Sequence, residues 1–155
     1  MDALREKNRR LVAAVTMMDG AYYRWARSTG VTGQTLDLLY ALDDGQPHSQ
    51  KQICEEWLIP KTTVSTVVKA CQAAGYLTLE AMPGQGRQRR LCLTPAGRAY
   101  AGRTLDRLYA IEDWAMAETV ERFGPDFVQA VEFFAARMQT AFAAGGPPGE
   151  EEDSV

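Results

Sequence analysis

The 155-residue sequence has no apolar run approaching the roughly 20 residues that a membrane-spanning helix requires. Its first residues, Met1-Asp2-Ala3-Leu4-Arg5-Glu6-Lys7, also lack the apolar core of a secretory signal. A cytoplasmic protein with no membrane partner is therefore expected. Histidine occurs once, at His48, and the three cysteines, Cys54, Cys71 and Cys92, are scattered without a C-x-x-C pair. That set is too sparse for a zinc site, a His-centred triad or a proton relay, and no phosphate loop or nucleophile-base pair accompanies it. No catalytic residue, metal or cofactor is expected, and the chain reads as a non-enzyme. What it does have is 46% hydrophobic and 24% charged residues, enough to bury a core as one domain or two closely merged ones.

Net charge is small overall, at −3, but the charges are unevenly placed. Glu150, Glu151, Glu152 and Asp153 form an acidic run at the C-terminus, and without it the chain carries +1. Between His48 and Tyr100, seven Lys and Arg face three Glu, so this middle third carries +4. A local basic surface of this kind is what an acidic polymer would meet.

Hydrophobic spacing sets the organisation. Leu11, Val15, Met18, Tyr22 and Trp25 step by four, three, four and three, which predicts a long amphipathic helix over about 4–29, ended by Gly30. A second helix is expected over 34–42, with Leu36, Leu39 and Tyr40 as its apolar positions, before the turn residues Asp43 to Pro47. Ser49-Gln50-Lys51-Gln52 reads as a capping box opening a short third helix to about Trp57. Pro60 suits the first turn of a fourth helix, 60–74, which Gly75 closes. On this helix Val64, Val67, Val68 and Cys71 share one side, and Lys61, Thr62, Ser65, Thr66 and Lys69 share the other.

After Gly75 the period changes to two. Tyr76 to Glu80 and Leu91 to Thr94 alternate around Pro83-Gly84-Gln85-Gly86, which predicts a β-hairpin whose tip, 82–90, carries Arg87, Arg89 and Arg90. Thr94 and Pro95 then open a fifth helix to about Phe123, with Tyr100, Leu105, Leu108, Ile111 and Ala115 expected to be buried. Gly124-Pro125 separates it from a sixth helix with Phe127, Val131, Phe134, Met138 and Ala141 on its seam. Residues 145–155, rich in Gly, Pro and acids, are expected to be a disordered tail behind a single domain over 1–144. The fold class is mainly α with a small β-hairpin wing (α+β).

A short helix, a tight turn and a helix with a polar outer face form the helix-turn-helix arrangement, whose second helix enters the major groove of DNA. Lys61 and Lys69 suit phosphates, and Thr62, Ser65 and Thr66 suit phosphates or base edges, with Thr63 nearer the packed side. Ser49 and Lys51 at the start of the preceding helix, and Arg87, Arg89 and Arg90 on the wing, complete the DNA-contacting set. Arg87 is the residue best placed to reach a minor groove. A winged-helix module that contacts a partner protein instead of DNA is the alternative, and salt dependence of binding separates the two.

These stretches resemble the MarR-type winged-helix regulators. The likeness runs through Ser49-Gln50-Lys51-Gln52-Ile53-Cys54, Pro60 to Lys69, Gly75-Tyr76-Leu77, and Gly86-Arg87-Gln88-Arg89-Arg90-Leu91-Cys92-Leu93-Thr94-Pro95-Ala96-Gly97. The resemblance implies a winged helix over about 34–95, flanked by dimerisation helices over about 4–29 and 95–143. It also implies an obligate homodimer that binds a pseudo-palindromic operator in double-stranded DNA, usually as a repressor. By position, Thr62, Thr63, Ser65 and Thr66 fall on that family's recognition helix and Arg87 on its wing-tip arginine, seven residues before Thr94. Two positions depart from the pattern: Gln85 stands where an Asp often holds the wing arginine, and Thr66 replaces a familiar recognition-helix arginine.

The family's cleft between dimerisation helices and winged helix often takes small aromatic effectors. Tyr22, Trp25 and Trp114, with Tyr23, Arg24 and Tyr109 nearby in sequence, are the candidates here, against the simpler reading of aromatics as core or dimer interface. Redox-sensing members use a cysteine near the first helix, where this chain has none. Cys71 and Cys92 are instead expected to act as small buried hydrophobes, and Cys54 to pack inward.

Overall fold

A computed structural model of the chain describes residues 3–81 and 88–147. Along these residues run α1 (Ala3–Ser28), α2 (Gly33–Leu42), β1 (His48–Ser49), α3 (Gln50–Glu56), α4 (Lys61–Ala73), β2 (Leu77–Ala81), β3 (Arg89–Leu93), α5 (Pro95–Phe123) and α6 (Phe127–Ala144). The chain divides into two compact units, one ending at Arg107 and the other beginning at Leu108, with α5 passing through the division.

In the first unit the core is built where the apolar faces of α2, α3 and α4 meet the sheet. Leu38, Leu42, Ile53, Val64, Val68, Leu77 and Leu91 are all buried there. α2 also buries Leu36, Leu39 and Ala41, so its apolar face is broad, while Gln34, Asp37 and Tyr40 remain at least partly exposed. Its N-cap is Thr32, whose hydroxyl accepts the Thr35 amide at 3.1 Å.

The expected capping box is present: Ser49 Oγ accepts the Gln52 amide at 3.2 Å, and the Ser49 amide donates to Gln52 Oε1 at 2.8 Å. Leu58, in the turn between α3 and α4, is the only described non-glycine residue with positive φ, at 52°. α4 begins one residue later than expected, with Pro60 as its N-cap. It ends in a Schellman turn, where Gly75 at φ 74° lets its amide reach Gln72 O and the Tyr76 amide reach Cys71 O, both at 2.9 Å.

The hairpin forms as expected, with Leu77 opposite Leu93 and Ala81 opposite Arg89. It gains a third strand: the order is β1-β3-β2, with His48 opposite Leu91. β1 was beyond sequence reasoning because two residues are too few to show alternation. His48 is buried beside this edge and bonds Asp44 through Nε2 at 2.9 to 3.0 Å, tying down the turn that precedes the strand.

The junction of sheet and α5 explains the Leu-Thr-x-x-Gly run. Thr94 Oγ1 donates to Gly75 O at 2.7 Å and accepts the Gly97 amide at 3.0 Å, while the Thr94 amide bonds Tyr76 O at 3.0 Å. Gly97 lies so close to that same carbonyl that a Cβ there would stand 1.9 Å from it. Tyr76 and Tyr100 stack beside the junction, their ring centroids 4.4 Å apart.

Farther along α5 the expectation needs correcting. Leu105 and Leu108 are buried, with Ala101 and Thr104, but Ile111 is half exposed and Ala115 exposed. On α6 no residue is buried, although Val131 and Met138 lie on an apolar seam. α1 likewise buries only Ala26, leaving Val15, Met18 and Tyr22 exposed. Each stripe is periodic, as a packed face would be, yet stays exposed among the described residues. Among the described residues no helix is long and apolar enough to cross a membrane.

Candidate nucleic-acid interface

α4 is positioned by its buried side and offers its polar side outward. Val64, Val68 and Cys71 sink into the core, and Lys61, Thr62, Thr66 and Lys69 are exposed around the opposite face. Thr63 and Ser65 stand half-buried at the two borders. Thr66 Oγ1 donates to the Thr62 carbonyl at 2.9 Å, so its proton is used within the helix and its lone pairs remain available. Among the described residues neither Lys61 nor Lys69 lies within ion-pair distance of a carboxylate. Both ammonium groups are thus open to phosphate.

Three further residues of the expected DNA-contacting set have local partners of their own. Ser49 is 5% exposed and its hydroxyl caps α3, so the structure gives it a scaffold role. Lys51 is exposed but stands 3.6 Å from Glu55 one turn on, a weak surface pair that phosphate would compete for. Arg90 turns across the hairpin to Glu80, with Nη2 at 2.6 Å and Nε at 3.0 Å from Oε2. That contact holds the Glu80 carboxyl below its usual range. Arg89, the adjacent residue on the strand, is exposed, which fits the alternation of a strand. The rest of the wing tip, with Arg87, lies outside the described residues, as does the acidic run at 150–153.

A second feature of the first unit is an open cleft of about 550 Å³ between α1 and α2, bordered by the α3–α4 turn. Asp19, Tyr22 and Tyr23 share one face of α1, and Asp37 and Tyr40 lie three apart on α2. Trp57 comes from the turn and meets Tyr40 edge to face, with centroids 5.5 Å apart. Asp37 is half-buried, and its carboxyl is pushed above the usual range by burial and by Asp19.

Of the three expected ligand residues, Tyr22 lines this cleft. Trp25 is half-buried but is not part of the lining, and Trp114 belongs to the second unit, where it is 66% exposed. Sequence reasoning missed Asp19, Asp37, Tyr40 and Trp57. The signal was present on the two helices: each carries an aspartate three residues before a tyrosine, which places both on one face. The cysteines lie elsewhere. Cys71 is buried, and burial pushes its thiol up; Cys54 and Cys92 are half-buried.

Comparison with known proteins agrees with this geometry. Residues 29–88 match the sequence model of the MarR family. A MarR family regulator from Neisseria meningitidis has a similar structure, with a TM-score of 0.76 at 23% identity over 94% of this chain and 99% of that one. The MarR regulator of Oenococcus oeni gives 0.66 at 18% identity, covering 86% and 98% of the respective chains. A Bordetella bronchiseptica regulator, BpsR, whose DNA binding is regulated by 6-hydroxynicotinic acid, gives 0.59 at 20% identity over 85% and 91%. No curated protein matches the sequence significantly. Residues 29–88 thus carry the sequence pattern of the MarR family, and the chain has the winged-helix fold of the MarR family structures it resembles over nearly its whole length.

Proposed function

We propose that this protein is a DNA-binding transcriptional regulator that acts as a homodimer, with α4 as its recognition helix and the hairpin as its wing. The observation that carries the reading is the outward face of α4, where Lys61 and Lys69 bracket Thr62 and Thr66 with no acidic residue among the exposed positions from 61 to 70. Such a face supplies phosphate contacts from its ends and hydroxyls to base edges from its middle. The uncovered apolar stripes on α1 and α6 favour a second copy, and a dimer would set two recognition helices about 34–36 Å apart, one turn of B-DNA. Binding within a promoter would repress by occupying it. A small molecule in the α1–α2 cleft would release the operator by favouring a dimer geometry that no longer matches that spacing.

Titration of the protein against the intergenic DNA flanking its own gene, at two salt concentrations, tests this. Affinity is expected to exceed that for random DNA and to fall steeply with salt. Lys61→Ala and Arg87→Ala should each weaken binding and flatten the salt slope by about 1 for every phosphate no longer neutralised. No binding to any DNA even at low salt would overturn the reading and favour a protein-interaction module.

A further inference from the structure

The α1–α2 cleft has a definite chemical character. Among the described residues its charged lining is Asp19 and Asp37, with no Lys, Arg or His. Around the two carboxylates stand the rings of Tyr22, Tyr23, Tyr40 and Trp57. The volume of about 550 Å³ lies within the range of small-molecule sites, roughly 300 to 1,000 Å³. The guanidinium carbon of Arg27 stands 5.9 Å from the Tyr23 ring centroid, but Arg27 does not line the cleft. Asp37 experiences burial and the like charge of Asp19, and both oppose its ionised form.

A ligand carrying a carboxylate would bring a third negative charge to two that already oppose each other. An ammonium group would neutralise that repulsion, donate charge-assisted hydrogen bonds to the carboxylates, and present its positive field to ring faces. We propose that this cleft binds an organic cation: a protonated amine set at Asp19 and Asp37, with an aromatic or alkyl body against Tyr22, Tyr40 and Trp57. The inference deepens the effector reading above and, as a regulatory statement, rests on it. The cleft's preference for positive charge does not depend on DNA.

The experiment uses three probes of one shape on the full chain: 3-phenylpropylamine, 3-phenylpropanol and 3-phenylpropionate, measured by titration calorimetry near neutral pH without DNA. The amine is expected to bind roughly tenfold or more tightly than the alcohol, and the acid more weakly than either. Asp37→Asn and Asp19→Asn, both nearly isosteric, should reduce the amine's advantage, and the double variant should abolish it. Thermal melts of each variant keep loss of folding separate from loss of binding. Equal binding of amine and alcohol, tighter binding of the acid, an advantage that survives the double variant, or no heat from any probe would each overturn the proposal. Operator titration with and without the amine is run separately. Failure to bind DNA would overturn the regulator reading while leaving the cation preference standing, and amine binding that leaves DNA affinity unchanged would remove only the regulatory link.

Discussion

Asp37 sits half-buried beside another carboxylate, and both influences oppose its ionised form. A carboxyl whose pKa is higher in the folded than in the unfolded state contributes stability below the unfolded value, and that contribution is lost as pH rises through the folded value. At neutral pH the ionised side chain therefore works against the fold. Asp37→Asn is expected to raise the melting temperature at pH 7, with the gain shrinking as pH falls and vanishing below the ordinary aspartate value of about 3.9. Melts across that pH range check it, and a variant less stable than the parent at pH 7 would contradict the assignment. Under the cation proposal the same arithmetic applies to binding: a charge that destabilises the protein would be stabilised when a cation arrives, so ligand binding and folding would draw on one interaction.

Among the elements, the joint between the hairpin and α5 depends on one small residue. Thr94 bonds to the Gly75 carbonyl, the Tyr76 carbonyl and the Gly97 amide, and the approach leaves no room for a side chain at Gly97. A methyl group 1.9 Å from backbone has no flexible neighbour to displace, so Gly97→Ala must push α5 from the sheet. About 3 kcal/mol of lost stability is expected, at the upper end for overpacking, with a lower urea midpoint as its measure. Here the sequence was legible as a motif, Leu-Thr-x-x-Gly, although its cause was not: the reason is a contact across 21 residues, from Tyr76 to Gly97. α3 and α4 were legible for the opposite reason, since caps, a Schellman glycine and a 3.6-residue period are all local. β1 and the acidic half of the cleft were not, because a two-residue strand carries no period and two aspartates on separate helices acquire meaning only when packing brings them together.

At the scale of the whole molecule, the described residues carry apolar stripes that stay exposed. Val131 and Met138 are 41% and 38% exposed on α6, and α1 leaves Val15 and Met18 still more open. Single exposed apolar residues are ordinary, but stripes repeating at helical spacing are the mark of an interface. A second copy is the occupant the DNA reading requires, because a two-fold operator needs two recognition helices held at fixed spacing. The protein is therefore expected to sediment as a dimer at micromolar concentration. Since Val131 and Met138 are not buried in the single chain, Val131→Asp with Met138→Asp should leave the protomer folded while placing two carboxylates in the seam. A rise of about 100-fold in the dimer dissociation constant, about 2.7 kcal/mol, is the expected result by sedimentation velocity. Circular dichroism should stay unchanged, and operator affinity should fall in parallel because a monomer engages one half-site. A parent protein that remains monomeric at tens of micromolar would break the link between the uncovered stripes and paired DNA recognition, and an undiminished dimer in the double variant would place the interface on another face.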